Sequence, residues 1–178
     1  IDASQQRTPD RLNQRETNLW QPASIPVQCT DHIRSVVAQT TPDLIFITGD
    51  VIYGEFDDNG TSFDLFCGFM ESFGIPWAPV MGNHDGQGCI SEFWAAYHLA
   101  EAENSVFEFG PEGMGYGNYL INITENGKIV HSVYMMDTHN NREYETENGT
   151  IGGYDHLWDN QMDWYEWCVK GTNKLAGY

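Results

Sequence analysis

Hydrophobic positions along the chain fall into short continuous runs that alternate with stretches of helical spacing. Residues 1–28 break this pattern: they are polar, contain Pro9, Pro22 and Pro26, and show no period, so they predict an arm or loop. Thr30 or Asp31 can cap a helix that places Ile33, Val36 and Val37 on one face and ends before Pro42. Leu44–Thr48 is a continuous apolar run bounded by Pro-Asp and Gly-Asp, the signature of a buried parallel strand. Phe63, Leu65, Phe66, Phe69, Met70 and Phe73 then predict a strongly apolar helix. Trp77–Met81 reads as a second buried strand, and Ser91–Ala100 as another helix. This strand-helix-strand rhythm predicts an α/β fold.

The pattern then changes. Val106–Phe109, Tyr116–Thr124 and Ile129–Asp137 predict successive strands, with Glu125-Asn126-Gly127 as a hairpin turn between the last two. Thr138–Tyr154 reads as a polar loop. Asp159 or Asn160 can cap a final helix, whose Met162, Trp164, Tyr165, Trp167 and Cys168 point to core packing.

Composition narrows the function. The 178 residues suffice for one domain with a sizeable core, and 40% apolar content fits a folded chain. No stretch approaches the roughly 20 apolar residues of a membrane span. The net charge of -18, from 26 acidic and 8 basic residues, argues against a nucleic-acid scaffold. It also repels phosphate esters, so a phosphate site here would need cations; solubility alone is the plainer account of the charge. Cys29, Cys67, Cys89 and Cys168 form no Cys-x-x-Cys pair, which leaves no structural zinc motif.

Two loops carry the candidate chemistry. Gly49-Asp50 follows the first strand, and Gly82-Asn83-His84-Asp85 follows the second. In open α/β sheets ligands bind beyond the carboxyl ends of the strands, and one strand-helix-strand unit of roughly 30 residues separates these loops. Carboxylate, amide and imidazole groups suit hard or borderline metals. Two cations about 3.5–4 Å apart can activate water and neutralise a phosphoryl oxygen. Glycine before each polar residue permits a sharp turn off the strand. Gly-Asp alone is an ordinary turn; joined to Gly-Asn-His-Asp at this spacing it points to a site.

The segments PDLIFITGD and IPWAPVMGNHD resemble the calcineurin-like metallophosphoesterases, and VYMMDTH with GGYDHLWDNQMDWYEW is similar to their purple-acid-phosphatase-related, Dcr2-like branch. The resemblance covers roughly residues 29 to 170 and implies a two-sheet sandwich flanked by helices, here incomplete, over residues 29–178. It implies metal-dependent hydrolysis of phosphomonoesters, with a phosphodiester as the nearest alternative and a small molecule or phosphoprotein as substrate. Asp50 would bridge two metals, Asn83 would bind one, His84 would contact the phosphate or protonate the leaving oxygen, and Asp85 would orient His84. Tyr53, in Gly49-Asp50-Val51-Ile52-Tyr53, matches an iron-binding tyrosine of purple acid phosphatases; a packed or solvent-facing aromatic is the other reading. The metals implied are two ions, divalent or mixed-valence (iron, manganese or zinc), in the complete enzyme, and one or none in this chain.

Other parts of the family pattern are missing. No Asp-x-His precedes Asp50, and after His139 only His156 remains, outside the family's histidine motifs. The expectation is a fragment of a larger enzyme, or else a non-catalytic binding module. Asp137-Thr138-His139 has Asp-x-His spacing and is open to three readings: a ligand pair, a rim beside the site, or plain loop polarity. His98 and His131 read as structural and His32 as solvated, and Glu55, Asp57 and Asp58 read as a solvated loop in preference to a calcium site.

Overall fold

The computed structural model describes residues 13–15, 25–52, 59–87 and 90–177. Helix α1 spans Ile25–Thr40, strand β1 Ile45–Ile47, helix α2 Thr61–Glu71, strand β2 Trp77–Pro79 and helix α3 Glu92–Glu101. Two hairpins follow, β3 (Tyr119–Glu125) with β4 (Lys128–Met135), and β5 (Asn141–Thr146) with β6 (Gly149–Tyr154); helix α4 (Asp159–Ala176) ends the chain. The α/β class is as the residue pattern predicted. Its described strands pair as three two-stranded ladders: β1 with β2 in parallel, and the two hairpins antiparallel.

The core lies between α2, β2 and α3. Phe63, Met70, Trp77, Ala78, Ala95, Ala96 and Leu99 are fully buried there. The spacing of Phe63, Phe66 and Met70 puts all three on one face of α2. Phe66 meets the Trp77 ring edge-on at 6.0 Å, and Phe63 meets Trp94 at 5.7 Å. Such pairs contribute about 0.5–1.5 kcal/mol each beyond their burial. Ser91 caps α3 by accepting the Trp94 N–H at 3.1 Å. Pairing Ile45 with Trp77 and Ile47 with Pro79 sets the parallel register and brings both strands' carboxyl ends to one edge.

Five expectations are corrected. Helix α1 starts at Ile25, not at Thr30 or Asp31, because Pro26 is tolerated in a first helical turn, where its missing N–H has no partner to lose. Its Val36 is exposed, so only Ile33 and Val37 of the expected face are partly covered. Val106–Phe109 forms no strand; the chain touches β2 through a bridge at Ser105 and the bond from Val106 N–H to Trp77 O at 2.8 Å, then leaves. Thr138–Tyr154 is not a plain loop, since most of it is the β5–β6 hairpin. Finally, α4 does not bury all its aromatics. Cys168 is buried and Tyr165 meets Tyr134 of β4 at 4.9 Å, whereas Trp167 is 72% exposed. The turn at Asn126-Gly127 is as expected, with both residues at positive φ (52 and 76°). No described helix is long and apolar enough to cross a membrane.

Candidate functional site

The two loops predicted to meet do so at the ends of β1 and β2. Gly49 has φ 89° and Asp50 φ 52°, so the chain turns through two successive left-handed residues as it leaves β1. Gly82 plays a different part: its φ is ordinary, and it is small because Asp50 lies against it. A Cβ on Gly82 would overlap Asp50 N and Oδ1, and one on Gly49 would come within 2.6 Å of Gly82 N. The two glycines let the loop backbones cross in contact.

Asp85 ties that crossing together. It is only 1% exposed. Its Oδ2 accepts the N–H groups of Gly82 at 2.7 Å and Asp50 at 2.9 Å, and its Oδ1 accepts those of Val51 at 2.8 Å and Ile52 at 3.3 Å. One side chain thus satisfies four partly buried donors on two loops, where regular strand pairing has ended. Burial pushes the Asp85 carboxyl up to about 6, with the nearby Asp50 charge acting the same way and the N–H donors opposing it. Asp50 returns the contact, its Oδ1 accepting the His84 N–H at 3.0 Å. The two carboxylates therefore lace the loops in both directions.

Asp50 and Asn83 line one cavity of about 340 Å3, together with Thr138, His139, Tyr154 and Asp155 from the far wall. His84 is half-buried beside Asn83, with its Nδ1 2.6 Å from Gln87 Oε1. Asp85 is the residue expected to orient the His84 ring; the ring contact among these bonds is with Gln87. Asp85 acts on the backbone of the turn that carries His84. Tyr53 and the acidic Glu55, Asp57 and Asp58 lie outside the described residues, as does Cys89.

The far wall is held by a buried polar network that the residue pattern did not reveal. Gln161, at the first turn of α4 and 0% exposed, accepts the Trp158 N–H at 2.7 Å. Its Nε2 donates to Asp137 O at 2.7 Å and to Asn118 Oδ1 at 2.9 Å. Backbone groups at both ends fix which atom of this amide is which. His139 Nε2, 2.8 Å from Gln161 Oε1, must then carry a proton. The other ring nitrogen, Nδ1, is 3.7 Å from Asp137 Oδ2, and the ring stacks on Trp158 at 3.8 Å. Asp137 in turn accepts the N–H groups of Tyr116 at 2.9 Å and His139 at 2.8 Å. Both groups of the Asp137-Thr138-His139 motif thus take part in holding the wall. A glutamine three residues after Trp158, at the start of a helix, was the available sequence signal. Beside this wall Asn140 Nδ2 donates to Glu92 Oε1, and burial raises the Glu92 carboxyl, with the Asp137 charge adding to it.

Asp50 and Asn83 offer one carboxylate and one amide to the cavity, and no group of three or more His, Cys, Asp or Glu among the described residues could hold a metal ion. Each cation needs about four to six donors. The described residues therefore do not by themselves fit a dinuclear centre.

Comparison with known proteins agrees with the geometry. The chain is 29% identical over 168 residues to a protein of Arabidopsis thaliana named probable inactive purple acid phosphatase 14, covering 84% of this chain and 41% of that protein. It is 28% identical over 144 residues to phosphatase DCR2 of Saccharomyces cerevisiae, covering 75% of this chain and 24% of that protein. A second Arabidopsis thaliana protein, probable inactive purple acid phosphatase 29, is 27% identical over 144 residues, covering 74% of this chain and 36% of that protein. The chain thus spans less than half the length of these relatives. No solved structure gives a significant match. The family model for calcineurin-like phosphoesterases matches residues 27–173, which takes in both laced loops, the cavity and its far wall, and the chain belongs to that family.

Proposed function

We propose that residues 29–178 form part of a phosphoesterase domain that hydrolyses phosphomonoesters with the help of metal ions, as part of a larger enzyme. The supporting observation is the convergence of Asp50 and Asn83 on one cavity, with both loops fixed by Asp85. Two oxygen donors of different kinds on a rigid rim suit a hard or borderline cation such as iron, manganese or zinc. The net charge of -18 makes a cation the natural means of drawing a phosphate ester, from a small molecule or a phosphoprotein, to this surface. His84 stands next to Asn83 and serves as proton donor to the leaving oxygen. With Nδ1 held by Gln87, that proton would come from Nε2. Tyr53 is a candidate further ligand, by its match to the family pattern.

Calorimetric titration with Mn2+ and Zn2+, paired with turnover of p-nitrophenyl phosphate and of bis(p-nitrophenyl) phosphate, tests this reading. Cation binding that is lost in both Asp50→Asn and Asn83→Ala supports it, and a preference for the first substrate supports a monoester. Binding and turnover unchanged in both variants would sink it. Two of the relatives carry "probable inactive" in their names, and no described cluster of three ligands exists. The second reading, a non-catalytic module, is the one favoured if no cation binds and no ester turns over.

A further inference from the structure

Tyr154 is the last residue of β6 and one of the residues lining the cavity that Asp50 and Asn83 share. It is nonetheless 73% exposed. Its backbone is anchored on every side. Tyr154 pairs with Asn141 across the hairpin, the Tyr144 hydroxyl donates to Tyr154 O at 2.5 Å, and the next N–H, of Asp155, donates to Asn140 O at 2.9 Å. Asp155 is itself fixed, accepting Trp158 Nε1–H at 3.2 Å and pairing with Arg142 at 3.2 Å. Trp158 also stacks on His139, so the hairpin end and the far wall are one connected unit.

Along its own strand Tyr154 has no side chain beside it. Residues two apart in a strand share a face, and the neighbour of Tyr154 on its face of β6 is Gly152, with open space where a Cβ would be. A large aromatic side chain, on a fixed backbone, with no side chain beside it along the strand and at the rim of a cavity, has apolar area to offer a ligand.

We infer that Tyr154 is a specificity-determining residue, forming an aromatic platform at the cavity mouth for a planar, apolar leaving group, so that the site favours aryl phosphate esters. The phosphate half of this assignment rests on the function proposed above; the ring half rests only on Tyr154 and the cavity. Apolar contact and ring stacking supply the recognition, and they are insensitive to the acidic surface that repels the phosphate end.

Saturation-transfer NMR on the full chain with Zn2+ present tests it, using phenyl phosphate, benzyl alcohol, glycerol 2-phosphate and inorganic phosphate as probes. The expected result is transfer to the ring protons of phenyl phosphate and benzyl alcohol. It should fall at least fivefold in Tyr154→Ala, persist in Tyr154→Phe, and leave the glycerol 2-phosphate signal unchanged. Because the residue is so exposed, the thermal midpoint of Tyr154→Ala should match the parent, which separates the contact from a folding defect. The platform is overturned if ring protons receive no saturation, or if Tyr154→Ala leaves the transfer intact. It is equally overturned if that variant weakens glycerol 2-phosphate as much as phenyl phosphate. A ring signal that depends on Tyr154 but is not displaced by inorganic phosphate removes the phosphate reading and upholds the platform. Displacement by phosphate with no dependence on Tyr154 does the reverse.

Discussion

The carboxylate of Asp85 accepts the backbone N–H of Asp50 at 2.9 Å, joining two loops whose residues are 35 positions apart in the chain. With the bonds to Gly82, Val51 and Ile52, this makes Asp85 the residue that shapes the rim from which Asp50 and Asn83 face the cavity. Hydrogen bonds to a charged acceptor contribute about 1.5–3 kcal/mol each, and an orphaned buried donor costs a comparable amount. Asp85→Ala should therefore lose on the order of 4 kcal/mol or more, read from the urea midpoint. An unchanged midpoint would show that water replaces the carboxylate without cost.

The same side chain predicts a pH dependence. Its carboxyl sits near 6 in the folded chain and at an ordinary 3.8 when unfolded, because burial disfavours the charge. Between these values the folded state holds the extra proton, so this contribution to stability is full below about pH 4 and is lost as pH rises through about 6. The change is on the order of 2–3 kcal/mol. Denaturation of the metal-free chain at pH 4 and pH 7 should show it, and Asp85→Asn, which cannot titrate, should remove that part of the difference.

Glycine substitutions should divide sharply by place. Gly82→Ala drives a methyl group into Asp50, and we expect a loss of more than about 3 kcal/mol or failure to fold. Gly68, exposed within α2 with nothing near a Cβ, should accept alanine and gain about 0.5–1 kcal/mol. Thermal unfolding of the two variants side by side checks both signs.

Gln161 should govern the protonation pattern of His139. Long-range 15N spectra of the parent chain should show the His139 proton on Nε2, since Gln161 Oε1 is the acceptor there. Gln161→Met removes that acceptor and orphans Asp137 O and the Trp158 N–H, at a cost of about 2–4 kcal/mol, and should leave a mixture of tautomers. A parent spectrum with the proton on Nδ1 would contradict the assigned network.

A buried tyrosine behind β2 adds a smaller case. The buried Tyr119 hydroxyl donates to Pro79 O at 2.6 Å, at the end of β2. Tyr119→Phe should cost about 1–3 kcal/mol by leaving that carbonyl unpaired, measured as a fall in the denaturation midpoint with the secondary structure unchanged by circular dichroism.

What the residue order determined was local. The apolar runs at Leu44–Thr48 and Trp77–Met81 named the parallel strands, but only β2 is buried throughout as expected, whereas Phe46 in the middle of β1 is 40% exposed. Asn126-Gly127 named a hairpin through the positive φ both residues accept. Gly49-Asp50 and Gly82-Asn83-His84-Asp85 marked the rim. The β5–β6 hairpin was hidden because polar residues and three glycines dilute its few apolar positions, so no alternation announces it. Tertiary structure alone decided what each polar group of the rim is for. Asp85, read as a partner of the His84 ring, spends its oxygens on four backbone N–H groups. Gln161 and Asn118 became a buried strut, and Tyr154 was left open at the cavity mouth. Hydrogen-bond partners are chosen by distance in space, and no periodicity along a chain encodes which donor from 20 or 40 positions away will arrive unpaired.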